Sequence, residues 1–233
     1  MKKTVGYCIY LPPHYEKEKE RRFPVVYFLH GAGGTESSDV GLSGNVHALV
    51  TAGVIPPVIY VFPNGGKQSG YRDWDDGKVK AETLIIKELV PHVDQQFRTL
   101  AKPETRAVCG FSMGGGGAMR FALKYPDLFG TAASLAAALD ASADANKSDN
   151  VYAHAAAYPA DRKEKLRLLL IVGETDSLYA RQTAFLPHLK KHGIAATSVV
   201  HSQVGHNLGL LNQLSADDMV RHLARQMAAM KKG

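Results

Sequence analysis

The chain has 233 residues, 45% hydrophobic and 21% charged, with 28 Lys and Arg against 22 Asp and Glu, a net charge of +6. That apolar content is enough for a core, and two cysteines are too few for a disulfide framework, which argues against disordered, collagenous and disulfide-stapled classes. No run of 18 or more apolar residues is present, and the basic residues are scattered: the densest stretch, Lys17 to Arg22, alternates with Glu16, Glu18 and Glu20 as a solvated loop does. Neither a membrane span nor a nucleic-acid partner is therefore expected.

The length predicts one domain over residues 1–233. Met1-Lys2-Lys3 opens like a leader, but Tyr10-Leu11-Pro12-Pro13 interrupts any apolar continuation. The expectation is a cytoplasmic protein, or a secreted one whose leader has been removed. Residues 4–11 alternate loosely as a strand. Residues 24–30 form a continuous apolar run, as a strand covered on both faces should. Residues 58–62 repeat that pattern and end at the turn Pro63-Asn64-Gly65-Gly66. Residues 80–97 read as a helix, with Ile85, Leu89, Val93 and Phe97 on one stripe and a kink predicted at Pro91. Strands are predicted over 106–111, 131–136, 168–172 and 196–201. A helix over 178–192 is closed by Gly193. The last helix is predicted over 215–230, with Ser215 and Asp218 as a capping box. Cys8 and Cys109 fall inside strands and read as small apolar side chains, and no metal-ligand spacing is present. The stretch 140–159, rich in Ala, Ser, Asp and Asn, is either a lid over a pocket or a long surface loop.

Strands alternating with helices predict an α/β protein: a mostly parallel central sheet with helices on both faces. Sites in such sheets form at the carboxyl ends of the strands. Just after the strand at 106–111 stands Gly110-Phe111-Ser112-Met113-Gly114, opening a helix. Glycines two residues either side of a strand-to-helix turn allow a serine at its tip to be held strained and exposed. A serine hydroxyl needs a base, and the base needs a carboxylate to orient it. The loop after 196–201 supplies His206, whereas His201 falls within the strand and His188, His192 and His222 on helices. The loop after 168–172 supplies two acids, Glu174 and Asp176. Asp217 and Asp218 read instead as helix-dipole residues. Two oxyanion donors are expected: the N–H of Met113, and that of Ala32 in His30-Gly31-Ala32-Gly33-Gly34. A phosphate loop is disfavoured there, since neither a P-loop Lys-Ser/Thr nor a dinucleotide fingerprint is present.

These segments resemble the esterase D family of α/β-hydrolases, which includes feruloyl and acetyl xylan esterases, S-formylglutathione hydrolases and mycolyltransferases. The resemblance rests on Tyr10-Leu11-Pro12-Pro13 with Tyr15, Phe23 to Gly31, Pro63 to Gly66, Ile86 to Asp94, Gly110 to Gly116, Gly173 to Leu178 and Gly205-His206-Asn207, in order along nearly the whole chain. It implies the α/β-hydrolase fold and an acyl-serine mechanism with Ser112, Asp176 and His206 in the catalytic roles, Asp176 rather than Glu174 being the acid. The stretches around Asp176 and His206 look most like bacterial feruloyl or cinnamoyl esterases. A small-molecule ester is the implied substrate, with no cofactor. A short-chain acetyl esterase, a thioesterase of the S-formylglutathione type, an acyltransferase and a non-catalytic binding protein are the rival readings. Trp74, the only tryptophan, either stacks on an aromatic acyl group or packs its loop. Asn207 and Leu208 are further candidate pocket walls, and Arg72 reads as an exposed arginine.

Overall fold

The computed structural model describes residues 5–140 and 149–229. Seven strands, β1 (Tyr7–Tyr10), β2 (Val25–Leu29), β3 (Ile59–Pro63), β4 (Arg106–Phe111), β5 (Thr131–Leu135), β6 (Arg167–Gly173) and β7 (Ala196–His201), form one sheet in the order β1-β3-β2-β4-β5-β6-β7. All neighbours are parallel except β1 against β3. The expected strands are present, with their ends shifted by a residue or two. The first is confined to Tyr7–Tyr10.

The continuous apolar runs have the cause inferred from them. Along β2, Val25, Tyr27 and Leu29 enter one core while Val26 and Phe28 enter the other, and β6 divides in the same way with Leu168 and Leu170 opposite Leu169 and Ile171. Helix α1 (Leu42–Thr51), which sequence reading missed, and helix α7 (Leu208–Ala229) cover one face. The other is covered by a helical run in three parts, by α4 (Met113–Lys124) and by α5 (Val151–Ala157) and α6 (Tyr179–Lys191). This is the α/β-hydrolase architecture. Both cysteines are free. Among the described residues no helix is long and apolar enough to cross a membrane.

Three local expectations need correction. The run at 81–96 comprises α2 (Ala81–Thr83), a π-helical turn (Leu84–Leu89) and α3 (Val90–Gln96), with Pro91 at the start of α3. A proline has no N–H and crowds the carbonyl four residues back, which accounts for an irregular turn just before it. Helix α7 begins at Leu208, not Ser215. The side chain of Asn207 accepts the Leu210 N–H at 3.0 Å, and Leu211 is wholly buried, so cap and packing both lie upstream of the apparent capping box. The stretch 140–159 is not a continuous loop: α5 occupies Val151–Ala157, with Val151, Tyr152 and Ala155 buried, while 141–148 lie outside the described residues.

A buried ionic network ties α4 to its surroundings. Arg120, 1% exposed, donates to Glu82 Oε2 at 2.6 Å, to Asp149 Oδ2 at 3.1 Å and to the Tyr71 carbonyl. Lys124 meets Glu82 and Asp149, each at 2.7 Å, and the Tyr125 hydroxyl donates to Glu82. Burial by itself raises the Glu82 carboxyl, but Arg120, Lys124 and Tyr125 outweigh it and hold it below its ordinary value. Asp149 is held low in the same way, by His154, Lys124 and Arg120 against its burial. Groups depressed in the folded state bind fewer protons folded than unfolded. Their stabilisation is therefore complete above the usual carboxylate range and is lost as pH falls through it and below. Glu82→Ala is expected to cost about 3 kcal/mol, the low end for breaking a buried pair because Asp149 still faces Arg120. Urea midpoints at pH 7 should fall with the m-value unchanged, and the loss of stability from pH 6 to pH 3 should be shallower in the variant.

Candidate active site

The β2 and β4 loops meet because their strands are neighbours, with Leu29 opposite Gly110. Helix α1 leaves β2 toward one face and α4 leaves β4 toward the other, which opens a crevice between their carboxyl ends. At the end of β4 the chain turns at Ser112, with φ 52° and ψ −113°. A side chain is rarely tolerated there, and the strain is held by hydrogen bonds: the Ser112 N–H donates to Leu135 (2.9 Å), and its carbonyl accepts from Gly116 (3.0 Å) and Ala138 (2.8 Å). The turn can be this tight only between glycines. A Cβ on Gly110 would lie 2.5 Å from the Leu29 carbonyl oxygen, and one on Gly114 would lie 1.9 Å from it.

The loops after β6 and β7 bring the acid and base to this turn. His206 Nε2 lies 2.9 Å from Ser112 Oγ, and its Nδ1 lies 2.8 Å from Asp176 Oδ2. The other Asp176 oxygen accepts the Leu178 N–H at 2.8 Å, and the carboxylate is fully buried. That burial and the contact to His206 separate Asp176 from its rival, since Glu174 is exposed. With Asp176 ionised, Nδ1 of His206 carries the proton and Nε2 faces the serine as an acceptor. The Phe111 ring stacks on the imidazole, with centroids 4.9 Å apart and planes at 28°. Phe111 is the x of the serine pentapeptide, where no sequence rule marks it.

Among the described residues the two expected oxyanion donors have no hydrogen-bond partner. Met113 is the first residue of α4, where an N–H has no partner within the helix, and among the described residues the Ala32 N–H makes no backbone hydrogen bond. The loop that carries Ala32 is braced by Gly33 N–H to Lys67 O (2.7 Å) and Gly34 N–H to Gly31 O (3.1 Å). His201 is engaged elsewhere, its Nε2 lying 2.6 Å from Ser215 Oγ. Among the described residues no three His, Cys, Asp or Glu side chains converge as metal ligands.

A cavity of about 270 Å³ adjoins the turn, lined in part by Met113, Leu139, Val151, Arg72 and Arg181. Trp74, Asn207 and Leu208 do not line it. Trp74 is 44% exposed, with its indole N–H on the Ser69 carbonyl at 3.2 Å. Asn207 caps α7, and Leu208 packs against the α1–α7 core. Arg72, read as exposed, is half-buried and paired with Asp140 (3.0 Å) and Asp149 (2.9 Å). Those partners stand 68 and 77 residues away, beyond any local signal.

The family model described as "Putative esterase" matches residues 1–206. A Mycobacterium tuberculosis protein named as an esterase is 37% identical over 139 residues, 55% of this chain and 28% of that protein. A Xylanibacter ruminicola protein named as an endo-1,4-beta-xylanase/feruloyl esterase is 36% identical over 131 residues, 52% of this chain and 18% of that one. The chain thus covers less than a third of the length of either relative. Among solved structures, a ferulic acid esterase superposes with a TM-score of 0.82 at 23% identity, over 94% of this chain and 92% of its own.

Proposed function

We propose, from the premise that this chain belongs to the esterase family, that it is a serine carboxylesterase acting on small or aromatic acyl esters of the feruloyl type. One observation carries the reading: an unbroken relay from Ser112 Oγ to His206 (2.9 Å) and from His206 to buried Asp176 (2.8 Å), beside two backbone N–H groups that have no partner among the described residues. In this reading Ser112 Oγ attacks the ester carbonyl and its proton passes to His206 Nε2. The carbonyl oxygen becomes an oxyanion held by the Ala32 and Met113 N–H groups. The tetrahedral adduct collapses, the C–O bond to the alcohol breaks, and His206 returns the proton to the departing alkoxide. Water then attacks the acyl-serine, giving its proton to His206, and the acid leaves with Ser112 restored. Asp176 stays ionised throughout and stabilises the imidazolium.

The aromatic part of the proposal is supported by the relative named as an endo-1,4-beta-xylanase/feruloyl esterase. The cavity beside Met113, about 270 Å³, lies just below the usual size of ligand sites, and the charged Arg72, Arg181 and Asp140 form part of its wall. Initial rates on methyl ferulate and p-nitrophenyl acetate, with Ser112→Ala as the blank, test it. Ferulate turnover comparable to acetate is the expected result. Acetate turnover alone would overturn the feruloyl reading in favour of a short-chain esterase or thioesterase. Turnover of neither above the blank would overturn the esterase reading itself.

A further inference from the structure

His30 is fully built into the protein, yet no catalytic step uses it. It is 2% exposed and immediately precedes the loop that carries Ala32. Its Nδ1 lies 2.7 Å from the Gly31 carbonyl oxygen, and its Nε2 accepts the Gly65 N–H at 3.1 Å. The two contacts define the ring. Nε2 faces a donor and must be unprotonated, so Nδ1 carries the hydrogen and donates to Gly31 O. The His30 backbone is held as well, its carbonyl accepting from the Tyr71 hydroxyl at 3.2 Å, with the Tyr71 ring 5.6 Å from the imidazole. The space is filled: a Cβ on Gly34 would lie 2.9 Å from His30 Nδ1.

The carbonyl that His30 grips belongs to the same peptide unit as the Ala32 N–H. In a planar trans peptide the C=O and N–H point in opposite directions. A hydrogen bond that pulls the Gly31 oxygen toward the buried imidazole therefore turns the Ala32 hydrogen away from it, toward the crevice. The Gly34 N–H reaches the same oxygen at 3.1 Å but comes from within the same half-buried turn, whereas the imidazole is anchored in the core.

We infer that His30 is the positioning residue of the oxyanion hole: as the neutral Nδ1–H tautomer it sets the plane of the Gly31–Ala32 peptide and so aims the Ala32 N–H at the developing oxyanion. The inference rests on the esterase reading. The surroundings favour the neutral ring. Burial lowers the His30 pKa against the opposing pull of the Gly31 carbonyl and of Glu36, and the remaining neighbours, Tyr71 and the Gly65 N–H, are uncharged. Protonation at Nε2 would set one N–H against another and release the ring.

The test is a set of three variants assayed for kcat, KM and inhibition by a trifluoromethyl ketone, whose tetrahedral hemiketal with the serine Oγ mimics the oxyanion. His30→Asn keeps a donor near the Nδ1 position. His30→Phe keeps the ring without a donor, and His30→Gln moves the donor to the Nε2 position. Phe and Gln are expected to lower kcat by about 100-fold, the low end for a lost oxyanion donor, with KM within about threefold and ketone affinity falling in parallel with kcat/KM. Asn should recover most of the activity. Equal losses in all three variants, or ketone affinity unchanged while kcat falls, would overturn the assignment. Should Phe fail to fold, the Asn–Gln contrast decides alone. If Ser112→Ala abolishes turnover while all three His30 variants remain active, the positioning role fails and the esterase reading stands.

Discussion

Replacing Ser112 with alanine is expected to lower kcat by about 10⁵–10⁶-fold, because nucleophile, base and orienting acid act as one unit and losing the nucleophile removes what the unit contributes. The residual rate is what substrate binding and two N–H donors supply unaided. The same position yields a second, opposite result. At φ 52° and ψ −113°, Ser112 occupies backbone space that costs any residue with a Cβ on the order of 1–2 kcal/mol. Ser112→Gly should therefore be as inactive as the alanine variant yet more stable than it by about 1 kcal/mol, since glycine adopts this conformation without strain. Steady-state kinetics on p-nitrophenyl acetate and paired thermal melts read both effects. A loss below tenfold in Ser112→Ala would exclude the serine mechanism. A glycine variant less stable than alanine would show that the turn stores no strain.

Asp176→Asn is expected to lower kcat by about 10⁴-fold without disturbing the fold, the loss known for amidation of such an acid. Hydrogen-bond polarity at the residue explains why. One carboxylate oxygen accepts the Leu178 N–H at 2.8 Å and the other faces His206 Nδ1 at 2.8 Å. An asparagine must keep its carbonyl oxygen on the Leu178 N–H, because an amide NH₂ there would meet another donor. Its NH₂ then faces His206 Nδ1, which must become the acceptor. The proton moves to Nε2, pointing at Ser112 Oγ, and the base can no longer take the serine proton. Glu174→Gln is the control: this acid is exposed, and the substitution should leave kcat within twofold. Loss of activity in the control and not in Asp176→Asn would reverse the assignment of the acid.

The chain order of the strands, the sharp turn at Ser112 and the loops carrying Asp176 and His206 were legible from the sequence alone, whereas helices α1 and α5 were not. Each is written within a few residues: an apolar run has to be a buried strand, glycines must flank a strained turn, and in a parallel sheet the loops after successive strands lie along one edge. Choosing between Asp176 and Glu174 was not legible from these local rules, because the two acids sit two residues apart in one loop and only burial against His206 distinguishes them. The start of α7 was misread at Ser215 for the same reason. The local capping pattern is real, but Ser215 pairs with His201 inside the protein and Asn207 caps the helix. His30 looked like part of a glycine-rich turn. Its neutral tautomer depends on Gly65, 35 residues away, and its loop is held by Tyr71, 41 residues away. Nothing local marks Arg120, Glu82 and Asp149 as partners, and only the fold packs them together. Local pattern thus determined which strands form and which loops reach the edge of the sheet. Tertiary packing decided which polar groups are desolvated and paired, since that depends on partners tens of residues distant.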